Sequence, residues 1–106
     1  MKKETIKKIL EFRDSREWKK YHSGKDLSIS ISLESSELLE IFQWSKEEVD
    51  KIDKIENIKE ELADIMIYAV MLADYYKLDL DEIIENKLKK NLIKYPEGKQ
   101  INLKEK

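Results

Sequence analysis

Four acidic residues in this chain stand in pairs whose spacing suits the capture of an ion. Glu34 and Glu37 are three residues apart, and so are Glu61 and Asp64. On a helix, residues three and four apart share a face, so each pair would present two carboxylates side by side. None of the four has a Lys or Arg three or four positions away, although the chain holds 21 basic residues. The gap is wider than the pairs: no basic residue lies between Leu27 and Ser45 or between Glu60 and Tyr76. Exposed like charges at this spacing cost a helix about 0.2–0.5 kcal/mol per pair. They cost more on a face that leans inward, as the neighbours Ile31, Leu33, Leu38, Leu62 and Ile65 suggest for these. A bound cation is the simplest compensation. Carboxylates in a chain with no Cys and one His suit a hard ion, Mg²⁺, Mn²⁺ or Ca²⁺, rather than zinc or copper. Mg²⁺ keeps water and phosphate oxygens in its shell, so a phosphate ester or anhydride is the matching substrate. The competing reading is a merely solvated acidic face, since Glu40 and Glu60 also lack a basic residue three or four positions away.

The pairs need helices to carry them, and the composition favours helices. In 106 residues there are two Gly and one Pro, with 41% hydrophobic and 42% charged residues. So few breakers point to one all-α domain, a four-helix bundle-like fold with short polar turns. The pattern predicts helices over about 5–21, 27–44, 58–77 and 81–93, with Pro96 disfavouring helix at the residue before it. His22 to Asp26 is the first break, where Gly24 suits a left-handed turn and Asp26 a helix cap. The alternation from Leu27 to Leu33 is the one strand-like stretch, and it is read as helix because it runs unbroken into Glu34. Residues 1–96 form the predicted domain, residues 45–57 a polar linker, and 97–106 a charged, loose tail.

A net charge of −2 gives no electrostatic case for DNA or RNA binding or for a polybasic membrane contact. No apolar run reaches the roughly 20 residues needed to span a bilayer, and no signal-peptide core follows the Lys-rich start. A cytoplasmic protein is expected, in keeping with the lack of Cys. The third predicted helix is unusual, because Ile65 to Ala73 carries no charge. A helix apolar on every side must be covered on every side. Either it is the central core helix, or part of it is a subunit interface, which a domain this small favours.

Three segments taken together resemble a known family. They are Leu33-Glu-Ser-Ser-Glu-Leu-Leu-Glu-Ile-Phe-Gln-Trp44, then Glu60-Glu-Leu-Ala-Asp64-Ile-Met-Ile-Tyr68, then Lys87-Leu-Lys-Lys-Asn91-Leu-Ile-Lys94-Tyr95-Pro96. In order and spacing they look like the MazG-like all-α nucleoside triphosphate pyrophosphohydrolases, nearest the dCTP-pyrophosphatase-like branch. Phe12 to Trp18, Tyr21-His22 and Lys25-Asp-Leu27 match that branch as well. The resemblance implies Mg²⁺-dependent cleavage of a (d)NTP to the monophosphate and pyrophosphate, serving nucleotide pool cleansing. It implies that Glu34, Glu37, Glu61 and Asp64 hold the metal and do the catalysis. It places Lys87, Asn91, Lys94 and Tyr95 at the phosphates and sugar, and His22, Trp44 and Tyr68 at the nucleoside. It further implies a homodimer or a dimer of dimers with shared sites. Leu33 stands where the broader family often has Glu, and Ser35 and Ser36 stand where relatives often have Gly or Ala, which bears on pocket volume. Trp18 is expected in the core. The rival expectations are a non-catalytic helical dimer that binds a protein partner, and a pyrophosphohydrolase of the same fold acting on a phosphoribosyl nucleotide.

Overall fold

The computed structural model describes residues 1–43 and 54–98. Trp44, most of the linker and all but the first two residues of the tail lie outside the described residues. The four helices are α1 Lys3–Ser15, α2 Gly24–Gln43, α3 Ile55–Tyr75 and α4 Leu80–Lys94. No strand occurs among the described residues. The Leu27–Leu33 stretch lies inside α2, as expected.

The junctions differ from the sequence expectation, and each has a local cause. Helix α1 stops at Ser15 rather than running on to Tyr21, because Glu17 adopts a left-handed φ of 56°. The backbone N–H groups of Arg16 and Glu17 turn back to the carbonyls of Arg13 and Asp14. A separate 3-10 turn, Trp18–Tyr21, follows. The reversal lets Trp18 fold back edge-on against Phe12, with ring centroids 5.4 Å apart.

Ser23, not Asp26, caps α2. Its hydroxyl accepts from the Asp26 N–H at 3.0 Å and donates to the Asp26 carboxylate at 2.9 Å. Gly24 is the first residue of the helix rather than a left-handed turn. What it provides is room, since a Cβ there would lie 2.1 Å from the Tyr76 hydroxyl oxygen. At the other junction, Lys77 takes the left-handed position at φ 56°. The Lys77 N–H donates to Asp74 and the Leu78 N–H to Ala73, the paired bonds of a Schellman ending. Asp79 then caps α4 by accepting from the Glu82 N–H at 3.1 Å.

Helices α2 and α3 pack extensively against each other, and α1 crosses α3. The crossing is pinned by Arg13, buried on α1, whose guanidinium donates to Asp74 of α3 at 2.7 Å and to its neighbour Asp14 at 2.9 Å. The buried apolar core is small: Leu27, Val70, Met71 and Ala73 among the described residues. The charge-free stretch of α3 is thus buried at Val70, Met71 and Ala73, while Leu62 and Met66 remain exposed. Helix α4 buries no residue, and Leu88, Leu92 and Ile93 are 55%, 68% and 84% exposed. Among the described residues, no helix is long and apolar enough to cross a membrane.

Candidate metal centre and the hollows beside it

The packing of α2 on α3 sets the two acidic pairs facing each other. Glu34, Glu61 and Asp64 each offer a carboxylate oxygen within 4.8 Å of the others. Glu37, one turn along α2 from Glu34, approaches both Glu34 and Glu61. The close approach of Glu37 is the largest influence on Glu34. Burial and Glu61 add to it, and together they push the Glu34 carboxyl up to about 7. Glu61 is raised as well, again first by Glu37 and then by burial. Among the described residues, no cation figures in the groups acting on either one. One oxygen each of Glu34 and Glu61 is buried without a hydrogen-bond partner among the described residues. Buried polar atoms are nearly always paired, so two orphaned carboxylate oxygens in one acidic group fit a divalent cation. The 4.8 Å bound on the separations among Glu34, Glu61 and Asp64 is close to the roughly 3.0 to 4.2 Å between ligand oxygens of octahedral Mg²⁺. The donor set is all oxygen and all anionic, which suits a hard ion.

A hollow of about 420 Å³ opens beside Asp64, lined by Ile9, Phe12, Trp18, Ile67, Tyr68 and Met71, with Thr5 and Lys8 completing it. Its surface is mostly apolar and aromatic. Tyr68 lies one turn beyond Asp64, and its hydroxyl pKa is raised by burial and by the charges of Glu34, Asp64 and Glu37. Trp18 lines this hollow at 37% exposure, so it is not the core residue the sequence suggested. The reason is the left-handed step at Glu17, which takes Trp18 off the helix. On the other side of the acidic group, a second hollow of about 440 Å³ is lined by Glu37, Glu40, Ile41, Lys54, Asn57 and Glu61.

The structure therefore brings Glu34, Glu37, Glu61, Asp64 and Tyr68 together. His22 is placed elsewhere, half-buried beside Arg13 and Asp26, with its pKa lowered by burial and by Arg13. It is not among the residues lining either hollow. Lys87, Asn91, Lys94 and Tyr95 sit on or just after α4, with the Lys94 ammonium 5.3 Å from the Tyr95 ring centre. None of them lines the two hollows. Trp44 lies outside the described residues. Ile9, Phe12, Lys54 and Asn57 are not marked as site residues by the sequence, because only the packing of α1 and α2 on α3 places them there.

Known proteins are similar to this chain in sequence and fold. A pyrophosphatase from Archaeoglobus fulgidus of known crystal structure superposes with a TM-score of 0.80 at 42% identity, covering 89% of this chain and 91% of that one. Bovine dCTP pyrophosphatase 1 is 33% identical over 91 residues, and the human protein of that name is 31% identical over 91. These matches cover 81% of this chain and 54% of either relative, so the chain spans about half the length of the curated relatives it matches. Residues 29–106 match the MazG-like family. With both acidic pairs inside the matched segment, the chain belongs to the MazG-like family.

Proposed function

We propose that this chain is a Mg²⁺-dependent nucleoside triphosphate pyrophosphohydrolase. It cleaves a (d)NTP, with dCTP or a modified dNTP as the leading candidates, to the monophosphate and pyrophosphate. The observation that carries the reading is the acidic group with two orphaned buried oxygens, set directly against an aromatic hollow. A hard metal beside an apolar, aromatic pocket is what a substrate with a triphosphate at one end and a base at the other requires.

Glu34, Glu37, Glu61 and Asp64 would hold the ion. A bound Mg²⁺ neutralises phosphate charge and makes a water nucleophilic near neutral pH. Trp18, Phe12 and Tyr68 offer flat faces to the base and exclude water from that side. Lys87, Asn91 and Lys94 face the phosphates only if α4 of another copy reaches the site, which fits a homodimer or homotetramer. The exposed apolar residues of α4 support that assembly, since fully burying one such side chain contributes about 1.5–3 kcal/mol. The family resemblance alone supports Trp44 and His22 at the nucleoside end, since His22 lines neither hollow. Such an enzyme would act in the cytoplasm on free nucleotides, cleansing the pool, with no nucleic acid or membrane partner.

The test is a panel of canonical, methylated and oxidised dNTPs incubated with Mg²⁺ and again with chelator. Pyrophosphate release that is lost on chelation supports the reading. The rival, a helical dimer that binds a protein partner, yields no pyrophosphate from any member of the panel.

A further inference from the structure

One face of α3 carries the site's groups in order. Asn57, Glu61, Asp64 and Tyr68 recur at intervals of three or four residues, so they lie in one stripe, with Lys54 at the cap position just ahead of the helix. At about 1.5 Å per residue, the stripe rises some 16 Å from the asparagine to the tyrosine. The acidic pair sits in its middle. The two hollows share this acidic centre but no lining residue: Asp64 opens on the aromatic hollow, and Glu37 and Glu61 open on the other. The two ends differ in chemistry. The Trp18–Tyr68 end is apolar, whereas the second hollow offers Lys54, an amide and carboxylates. Among the described residues, Lys54 is the one basic residue lining that second hollow, and it makes no ion pair with any of them.

Building on the proposed activity, we infer that Lys54, assisted by Asn57, receives the pyrophosphate end of the substrate, which fixes the direction in which the nucleotide lies. With the base against Trp18 and Tyr68, the α-phosphate would lie beside Glu34, Glu37, Glu61 and Asp64, which would hold the ion. The β- and γ-phosphates then extend past Glu61 into the second hollow. Several negative charges arriving among Glu37, Glu40 and Glu61 need a cation beyond the metal itself. An ammonium on a flexible stem supplies it as a point charge. On cleavage, the bond from the α-phosphorus to the bridging oxygen breaks and water adds to the α-phosphorus. Pyrophosphate leaves from the Lys54 side with the bridging oxygen.

The experiment reads equilibrium binding and so does not require turnover. Pyrophosphate with Mg²⁺, and separately a nucleoside monophosphate with Mg²⁺, are titrated calorimetrically into the wild type, Lys54→Ala, Lys54→Arg and Trp18→Ala. Circular dichroism checks that each is folded. Losing one charge-assisted hydrogen bond should weaken pyrophosphate binding about tenfold or more in Lys54→Ala. Monophosphate binding should stay within about twofold, and Lys54→Arg should recover most of the loss. Trp18→Ala should show the opposite pattern. Equal weakening of both ligands in Lys54→Ala, no change in either, or loss of the monophosphate alone would overturn the assignment. Release of pyrophosphate from a dNTP by the wild type is scored separately. Its absence would sink the proposed activity, while the binding pattern still decides the role of Lys54.

Discussion

At the scale of single residues, Glu34 carries the clearest consequence. Its carboxyl is pushed up to about 7, by Glu37 first and then by burial and Glu61. A folded-state pKa above the unfolded value means the metal-free fold binds more protons than the unfolded chain between about 4.5 and 7. Through this group, metal-free stability therefore falls as pH rises across that window. The melting temperature of the metal-free protein should drop from pH 5 to pH 8, and Glu34→Gln should flatten that slope. Mg²⁺ should restore stability at pH 8 far more than at pH 5, because ion and proton compete for the same oxygens. A Mg²⁺ effect equal at both values would contradict this. For turnover, Glu34→Gln and Asp64→Asn should each cost about a hundredfold or more in kcat with unchanged helical circular dichroism. Near-normal activity in either would remove it from the site. These carboxylates were legible in the sequence because helical spacing and missing cations are both local properties. The Lys54 and Trp18 environments were not, since they depend on which helices meet.

At the scale of elements, α1 is held on α3 by the buried Arg13 and its partner Asp74. Arg13→Met should destabilise the fold by about 3 kcal/mol, since it leaves Asp74 without its partner. Chemical denaturation measures it, and a loss under about 1 kcal/mol would mean that apolar packing alone holds the crossing. The left-handed Lys77 at the end of α3 offers the opposite change. Lys77→Gly relieves the Cβ strain and should stabilise by about 0.5–1 kcal/mol. All four helices could be read from breaker scarcity and periodicity. The junctions could not: Ser23 takes the cap that Asp26 seemed fit for, and Glu17 breaks α1 without a glycine or proline to announce it. Both are settled by local hydrogen bonds, of Arg16 and Glu17 back onto α1 and of Ser23 with Asp26, which composition and periodicity do not register.

At the scale of the molecule, the chain leaves more apolar surface exposed than four helices of this length need. Ile84, Leu88 and Leu92 form an exposed stripe four residues apart along α4, and Leu62 and Met66 continue the theme on α3. The charge-free run of Ile65 to Ala73 pointed to incomplete coverage, but the bareness of α4 was hidden behind its lysines. Sedimentation at micromolar concentration should give a dimer or larger, and Leu88→Asp should shift it toward monomer. A wild-type monomer would contradict the proposed assembly and leave Lys87 and Lys94 without a route to the phosphates. The most direct test of the whole account is the position of bond cleavage. A dNTP is hydrolysed with Mg²⁺ in water enriched in heavy oxygen, and the products are resolved by mass spectrometry. Label is expected in the nucleoside monophosphate, with the pyrophosphate unlabelled. Orthophosphate as first product, or label in pyrophosphate instead of the monophosphate, would contradict it.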